Sequence, residues 1–384
     1  MLDNKGSTLG NKLVFIVNVD WYFRLHWVER AIYFKSLGYD IHIVGGFYDL
    51  EIKNELTSQG FTCHHIPIRR KSIGLIKELS CILRLKAIIK SINPVLIHCI
   101  TVKPNVYGGI LNRTLFRKPI VFGITGLGAI YSSKSVRFTL LKFLVTSFYK
   151  FISIRCSRII FENGDDYQLF SELGILKYNN GIVIKGAGID LDHFSPSTPI
   201  YGRKVLFAAR LLRDKGLDVL IEAKTILKER GVDFELNVAG IIDNDVSSAI
   251  PLYEIKRWER KGLINWLGNV NDMPRLIKDN DIVCLPTVYG EGVPRILIEA
   301  ASCQRAIIAT DVPGCREIVS HGVNGLLSNP GDAISLADSL QELLESPKLA
   351  RIFGVNGRKK VEDEFSQQIV FDKTKLVYET LISK

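Results

Sequence analysis

Short runs of β-branched and aliphatic residues alternate with stretches of helical periodicity along nearly the whole chain, and the alternation starts afresh near its midpoint. That rhythm restricts the fold to parallel sheets with crossover helices, because parallel strands need a long connection and a helix is the usual one. In the first half the predicted strands are Leu13–Val19, Ile41–Gly45, Thr62–Ile68, Val95–Ile100, Ile120–Thr125, Arg158–Glu162 and Ile182–Ile184, with helical stretches such as Leu25–Ser36 and Leu75–Lys90 between them. The second half restarts with Val205–Ala209 and a helix Leu217–Arg230, then Phe234–Ala239, Ile264–Leu267, Ile282–Leu285 and Ala306–Ala309. Two Rossmann-like, doubly wound α/β domains are therefore predicted, and 384 residues suffice for two such cores. Ser195, Pro196, Ser197, Pro199 and Gly202 read as a linker, giving domains over 1–196 and 203–369. Val370, Val377 and Leu381 recur at helical spacing after the second domain, so residues 370–384 are predicted to pack back on the first.

Charge is divided unevenly between these halves. Residues 1–190 hold 25 Lys/Arg against 13 Asp/Glu, net +12, and residues 191–384 hold 25 against 27, net −2. From Phe61 to Arg158, 17 basic residues face one acid, Glu78. An anionic partner is expected for the first half: nucleic acid, an acidic lipid surface or a phosphorylated substrate. Seven cysteines, with no CxxC and no zinc-type spacing, fit a reduced cytosolic setting. The polar opening Met1–Lys12 lacks the apolar core of a signal peptide, and the longest uncharged run, Pro119–Ser133, is too short and too rich in glycine to span a bilayer. Between Phe138 and Ile154, polar residues recur on one helical stripe (Thr139, Lys142, Thr146, Lys150, Ser153) and apolar residues fill the remaining arc. A helix packed on a sheet with its polar stripe in water has this pattern, and so does a helix lying in a membrane interface.

Ligands of open α/β sheets bind beyond the carboxyl ends of the strands. Val205–Ala209 ends in Arg210, and Lys215 follows five residues later just before a helix, so two cations and free backbone N–H groups meet where a diphosphate would be favoured. The ordinary alternative is a pair of solvated side chains. After Ile282–Leu285 comes Glu291-Gly292-Val293-Pro294-Arg295, leading into a helix that carries Glu299. Pro294 suits a first helical turn and Gly292 a close approach of backbone to ligand. Glu291 can reach a group at the helix mouth, and Glu299 stands where a ribose could hydrogen-bond. Read as plain structure, Glu291 is an acid favoured by the helix dipole and Glu299 an exposed helix position.

These segments, EGVPRILIEA with its Glu291-x7-Glu299, AARLLRDKGLDVLIEA (208–223), GAGIDLDHFSP (186–196) and TDVPGCREIVSHGVNGLL (310–327), occur in an order and spacing that resemble the retaining glycosyltransferases of glycosyltransferase family 4, which have the two-domain GT-B fold. FIVNVDWYF (15–23), IHCITVKPNVYGG (97–109) and ITGLGAIYSS (124–133) resemble bacterial members that extend lipid-linked oligosaccharides for surface polysaccharide, O-antigen or protein glycosylation. The resemblance implies transfer of a hexose or N-acetylhexosamine from a nucleotide sugar, UDP-linked, to an undecaprenyl-diphosphate-linked saccharide, by a cytoplasmic enzyme peripheral on the inner face of the plasma membrane. It implies that Arg210 and Lys215 bind the donor diphosphate, that Glu299 holds the ribose, that Glu291 contacts the donor sugar, and that the N–H groups of Gly292 and Val293 add diphosphate contacts. Glu291, Arg210 and Lys215 are then the catalytic set.

Retention implies attack on the leaving-group face through an oxocarbenium-like state, so paired carboxylates at glycosidase separation are not expected. No cofactor and no metal are expected: the Asp-x-Asp matches at Asp190/Asp192, Asp243/Asp245 and Asp279/Asp281 read as chance. The first domain is expected to hold the acceptor, with Asn18, Asp20 and His26 after the first strand, His98 and Lys103 around the fourth, and Thr125 and Gly126 after the fifth. Many relatives have a Gly-Gly turn in the first loop, where this chain has Asn-Val-Asp-Trp-Tyr. A soluble acceptor, or a GT-B nucleotide-sugar epimerase, is the nearest alternative. A dehydrogenase is excluded by the missing GxGxxG after Leu13–Val19, and nucleic-acid binding is supported by charge alone.

Overall fold

The computed structural model describes residues 11–68, 74–127, 136–198, 201–243 and 248–383. Gly128, Pro199 and Asp245, which entered the sequence reading, lie outside the described residues. Two compact units form. One takes in the chain up to Thr125, the stretch from Val136 to Ala187 and everything from Val370 on; the other takes in Gly126, Leu127 and Gly188–Ile369.

The first unit is built on seven parallel strands, β1 (Lys12–Val19), β2 (Asp40–Gly46), β3 (Thr62–His65), β4 (Leu96–Ile100), β5 (Ile120–Ile124), β6 (Ser157–Phe161) and β7 (Gly181–Val183), in the order β3-β2-β1-β4-β5-β6-β7. β4 and β5 are buried along their whole lengths, which is why they read as unbroken apolar runs rather than alternating ones. Strand order reverses between β1 and β4, so the loops after those two strands flank the crevice where this topology takes ligands. The helix Gln367–Ile382 closes this core, burying Val370, Phe371, Val377, Tyr378 and Leu381, with Tyr378 stacked on Phe34 at 4.5 Å.

The helix Val136–Ile152 departs from the packed arrangement with a wet polar stripe. Tyr149 and Ile152 are buried, Lys142 and Thr146 are half-buried, and Leu141, Phe143, Leu144 and Phe151 are exposed. The edge of the arc that includes Tyr149 packs on neighbouring helices, with the Tyr149 ring 5.1 Å from Phe170 and its hydroxyl accepting from Asn105 Nδ2 at 3.0 Å, and Leu141, Phe143, Leu144 and Phe151 are left facing outward. Among the described residues no helix is long and apolar enough to cross a membrane.

The second unit holds six parallel strands, β8 (Lys204–Ala208), β9 (Glu235–Ala239), β10 (Asn265–Gly268), β11 (Ile282–Leu285), β12 (Ala306–Thr310) and β13 (Leu326–Ser328), in the order β10-β9-β8-β11-β12-β13. The reversal lies between β8 and β11. The segment read as the end of the first domain belongs here instead: Phe194 is buried, its carbonyl accepts from Ser302 Oγ at 2.8 Å and Arg358 Nη1 at 3.0 Å, and Arg305 Nη1 donates to Ser197 O at 2.7 Å. Ser/Pro composition suggested a free linker, but buried guanidinium donors need carbonyl acceptors and find them in this stretch.

Candidate functional site

In the second unit the loops after β8 and β11 meet at the carboxyl edge. The backbone carbonyl of Asp214 accepts from Val288 N at 2.9 Å and from Thr287 Oγ1 at 3.1 Å, tying one loop to the other. Gly216, at φ +77°, lets the β8 loop turn into the helix Leu217–Glu229 against the Pro286 carbonyl, where a Cβ would collide. That helix has no side-chain N-cap, so its first N–H groups are open to an anion.

Lys215 and Glu291 come together across these loops, Nζ to Oε2 at 2.5 Å, both mostly buried. The Lys215 ammonium also stands 6.0 Å from the centre of the Tyr289 ring. Burial, with the Glu291 and Asp214 charges, pushes the Tyr289 phenol up to about 12, so it stays a neutral hydroxyl at the rim. Arg210 pairs with Asp243, Nη1 to Oδ2 at 2.9 Å. Sequence reasoning missed this partner, having considered Asp243 only as half of an Asp-x-Asp match; its position four residues past β9 acquires meaning once β9 is known to lie beside β8.

Glu299 is not the exposed position that a plain helix would have given. It is 6% exposed, and Arg295 Nε holds its Oε1 at 2.7 Å. Burial pushes its carboxyl above the usual range, while Arg295 and, more weakly, His193 draw it back down. Pro294 is the N-cap of the helix Arg295–Ser302 rather than a member of its first turn. Gly292 and Val293 are buried beside that cap. Gly126, at φ +105°, passes so close to Gly292 N that neither backbone leaves room for a Cβ on Gly126. Of the Asp-x-Asp residues, Asp281 accepts from Tyr201 N at 2.8 Å and Lys204 N at 2.9 Å, and Asp190 from Asp192 N at 2.9 Å and His193 N at 3.0 Å.

The first unit treats its expected acceptor residues unequally. Asp20 is 3% exposed and spends its carboxylate on the backbone N–H groups of Trp21, Tyr48 and Asp49, at 2.8, 2.6 and 2.8 Å. It braces the loop after β2. His98 is fully buried, ringed by Phe15, Trp27 and Tyr378, with Nδ1 2.5 Å from the Tyr378 hydroxyl. Burial, aided by the Arg30 charge, pushes its pKa well below the ordinary value, so the ring stays neutral. In both cases a polar residue near a strand end is held by elements distant in sequence.

Lys103 pairs with Glu78, the one acid of the basic stretch, at 2.9 Å. Half-buried Asn18 and Thr125 stand at the carboxyl ends of β1 and β5, and Asn18 Oδ1 is buried without a partner. His26 ends the helix Asp20–His26 with its ring 4.5 Å from Tyr22. Thr101, after β4, has φ +73° and a buried, unpartnered Oγ1, a strained residue of the kind that clusters at functional edges.

Two family models match the chain: "Glycosyl transferases group 1" over residues 190–360 and "Glycosyl transferase 4-like" over residues 12–163. The N,N'-diacetylbacillosaminyl-diphospho-undecaprenol alpha-1,3-N-acetylgalactosaminyltransferase of Campylobacter jejuni is 28% identical over 328 residues, covering 82% of this chain and 84% of the relative. The capsular polysaccharide biosynthesis glycosyltransferase CapM of Staphylococcus aureus is 23% identical over 371 residues, covering 92% and 93%. Among solved structures, Anabaena HepE in complex with UDP and glucose superposes with a TM-score of 0.77 at 20% identity, covering 97% of this chain and 100% of that one. With family models matching both halves and the fold shared with solved glycosyltransferases, the chain belongs to the group 1 and 4-like glycosyltransferases and is a transferase of the GT-B fold.

Proposed function

We propose that the chain is a retaining glycosyltransferase that moves a hexose or N-acetylhexosamine from a UDP-sugar to a saccharide carried on a lipid diphosphate, within surface-polysaccharide or glycan assembly. The second unit takes the donor and the first the acceptor. The observation that carries this reading is the Lys215–Glu291 pair, set between the loops of β8 and β11 beside an uncapped helix and near the switch in strand order. Transfer of the sugar leaves negative charge on the departing diphosphate. Arg210 and Lys215 are the fixed cations that stabilise it, with Gly292 and Val293 N–H groups alongside. Glu291, already bonded to Lys215, reaches the donor sugar hydroxyls, and Glu299 accepts from the ribose. The acceptor hydroxyl attacks on the face the diphosphate leaves, and the departing phosphate oxygen takes its proton.

The acceptor reading draws support from the diphospho-undecaprenol acceptor named for the Campylobacter relative and from the +12 charge of residues 1–190. It puts the enzyme at the cytoplasmic membrane surface, as a peripheral protein. Lys215→Ala and Glu291→Ala should each cut transfer by roughly 10²–10³-fold or more, as loss of a charge-stabilising group does elsewhere, assayed below the melting temperature of the variants, which lose one partner of a mostly buried ion pair. Release of nucleoside diphosphate in the presence of acceptor measures it, and full activity in either variant would sink the donor-site assignment. A water-soluble saccharide used as well as a lipid-linked one would replace the acceptor reading.

A further inference from the structure

The outward face of the helix Val136–Ile152 calls for an explanation. Phe143 is 67% exposed, Leu144 55% and Phe151 46%, and Ser147 and Lys150 share their arc. The helix holds no acid anywhere along its length. A large aromatic and aliphatic face left in water marks an interaction surface.

The helix ends beside two adjoining cavities of about 350 and 460 Å³ that share Arg113 and Tyr178. Their linings bring together Arg113, Arg117, Lys150, Arg155 and Lys177, with no acid among the described lining residues, and Phe151 closes one rim. An unusual piece of backbone puts two of these cations there. Asn112–Phe116 forms a π-helical turn and Arg117 adopts a left-handed conformation at φ +51°, with the Asn112 amide clamping Lys118 N and O at 2.9 Å each. The same turn exposes Leu115.

We propose that this face, Phe143, Leu144 and Phe151 with the cationic groove at their end, is the surface by which the protein lies on an anionic phospholipid bilayer. The pattern matches that partner: apolar side chains to enter the acyl boundary, cations at headgroup level, and no acid to be repelled. A second copy of the chain fits poorly, since a two-fold contact through one patch sets its cations against their own images. The helix is about 26 Å long at 1.5 Å per residue. It starts eleven residues after Thr125, at the carboxyl edge of β5, and ends where β6 begins. Lying on the bilayer, it therefore brings the edge expected to receive the acceptor down to the headgroups. The surface extends the acceptor reading, yet stands on the helix and groove themselves.

Flotation with vesicles tests it. The intact protein should float with vesicles of equal parts phosphatidylcholine and phosphatidylglycerol at low salt, and stay behind with phosphatidylcholine alone. Joint Phe143→Ser, Leu144→Ser and Phe151→Ser should reduce partitioning roughly tenfold or more, while Arg113→Glu with Lys177→Glu should remove the salt-sensitive part. Phe143→Ser alone, changing the most exposed of the three, guards against loss of fold and should weaken binding measurably. Unchanged flotation of the triple variant, failure of the intact protein to float, or a dimer in light scattering that the triple variant breaks would each overturn the proposal. A protein that floats but ignores lipid-linked acceptors would refute the acceptor reading and leave this surface standing; one that uses such acceptors in detergent without floating would do the reverse.

Discussion

Arg210 sits against Asp243, and Lys215 against Glu291, so each cation proposed for the diphosphate already has a carboxylate partner. The two carboxylates need not play the same part. Glu291 is proposed to turn to the donor sugar, whereas Asp243 has no proposed donor contact and holds Arg210 in a place the diphosphate is proposed to take. Removing that competitor should tighten donor binding, so Asp243→Asn is expected to lower the Kd for a nucleoside diphosphate by several-fold, the scale of one partly exposed ion pair of up to about 1 kcal/mol. Titration calorimetry measures it; weaker binding would instead make Asp243 a brace for Arg210. Arg210, Lys215 and Glu291 could be singled out in the sequence because each follows a strand end by a few residues, and Glu299 because it lies on the helix that Glu291 leads into. Asp243 was not, because its meaning depends on sheet order, which no local pattern carries.

The helix Gln367–Ile382 shows how far a distant element reaches into the first unit. Its Tyr378 is fully buried between Phe34 and His98, which stands 280 positions earlier in the chain. Tyr378→Ala should cost about 3–5 kcal/mol, the usual range for deleting a core aromatic. Tyr378→Phe keeps the ring and removes only the hydroxyl, so about 1–3 kcal/mol is expected from leaving His98 Nδ1 without its partner; denaturant unfolding of both variants separates packing from hydrogen bonding. The apolar spacing of Val370, Val377 and Leu381 was readable as a helix, but the burial of His98 was not, since nothing near His98 in sequence announces Tyr378. The helix Val136–Ile152 was legible in the same partial way. Its period was plain, yet which side of the apolar arc is covered depends on Asn105 and Phe170, which lie on helices distant in sequence, and so the outward direction of Phe143 and Phe151 had to come from the structure. Strand positions were the most legible feature, because parallel strands buried on both faces read as unbroken apolar runs; β13 (Leu326–Ser328) was the one strand of the described residues not predicted.

Two cores in one chain make the whole molecule's response to pH and ligand divisible. Between about 4.5 and 6.5, the ordinary values for Glu and His, the groups with displaced protonation fall on opposite sides of that division. In the first unit, burial lowers His98 and His64, so the unfolded state takes up protons first and stability is lost as pH falls below 6.5. In the second, burial raises Glu299, so the native state takes its proton first and stability increases as pH falls through the raised value toward 4.5. Acidification should therefore lower one thermal transition and raise the other, with Glu299→Gln abolishing the rise. A nucleoside diphosphate should act on the second unit alone, raising its stability by about 2.7 kcal/mol at a hundred times its Kd and leaving the first transition where it was. Scanning calorimetry over this pH range, with and without UDP, reads all three effects at once. A single cooperative transition, or equal protection of both, would show that the two cores do not unfold separately and that the nucleotide is not confined to the unit carrying Arg210 and Lys215.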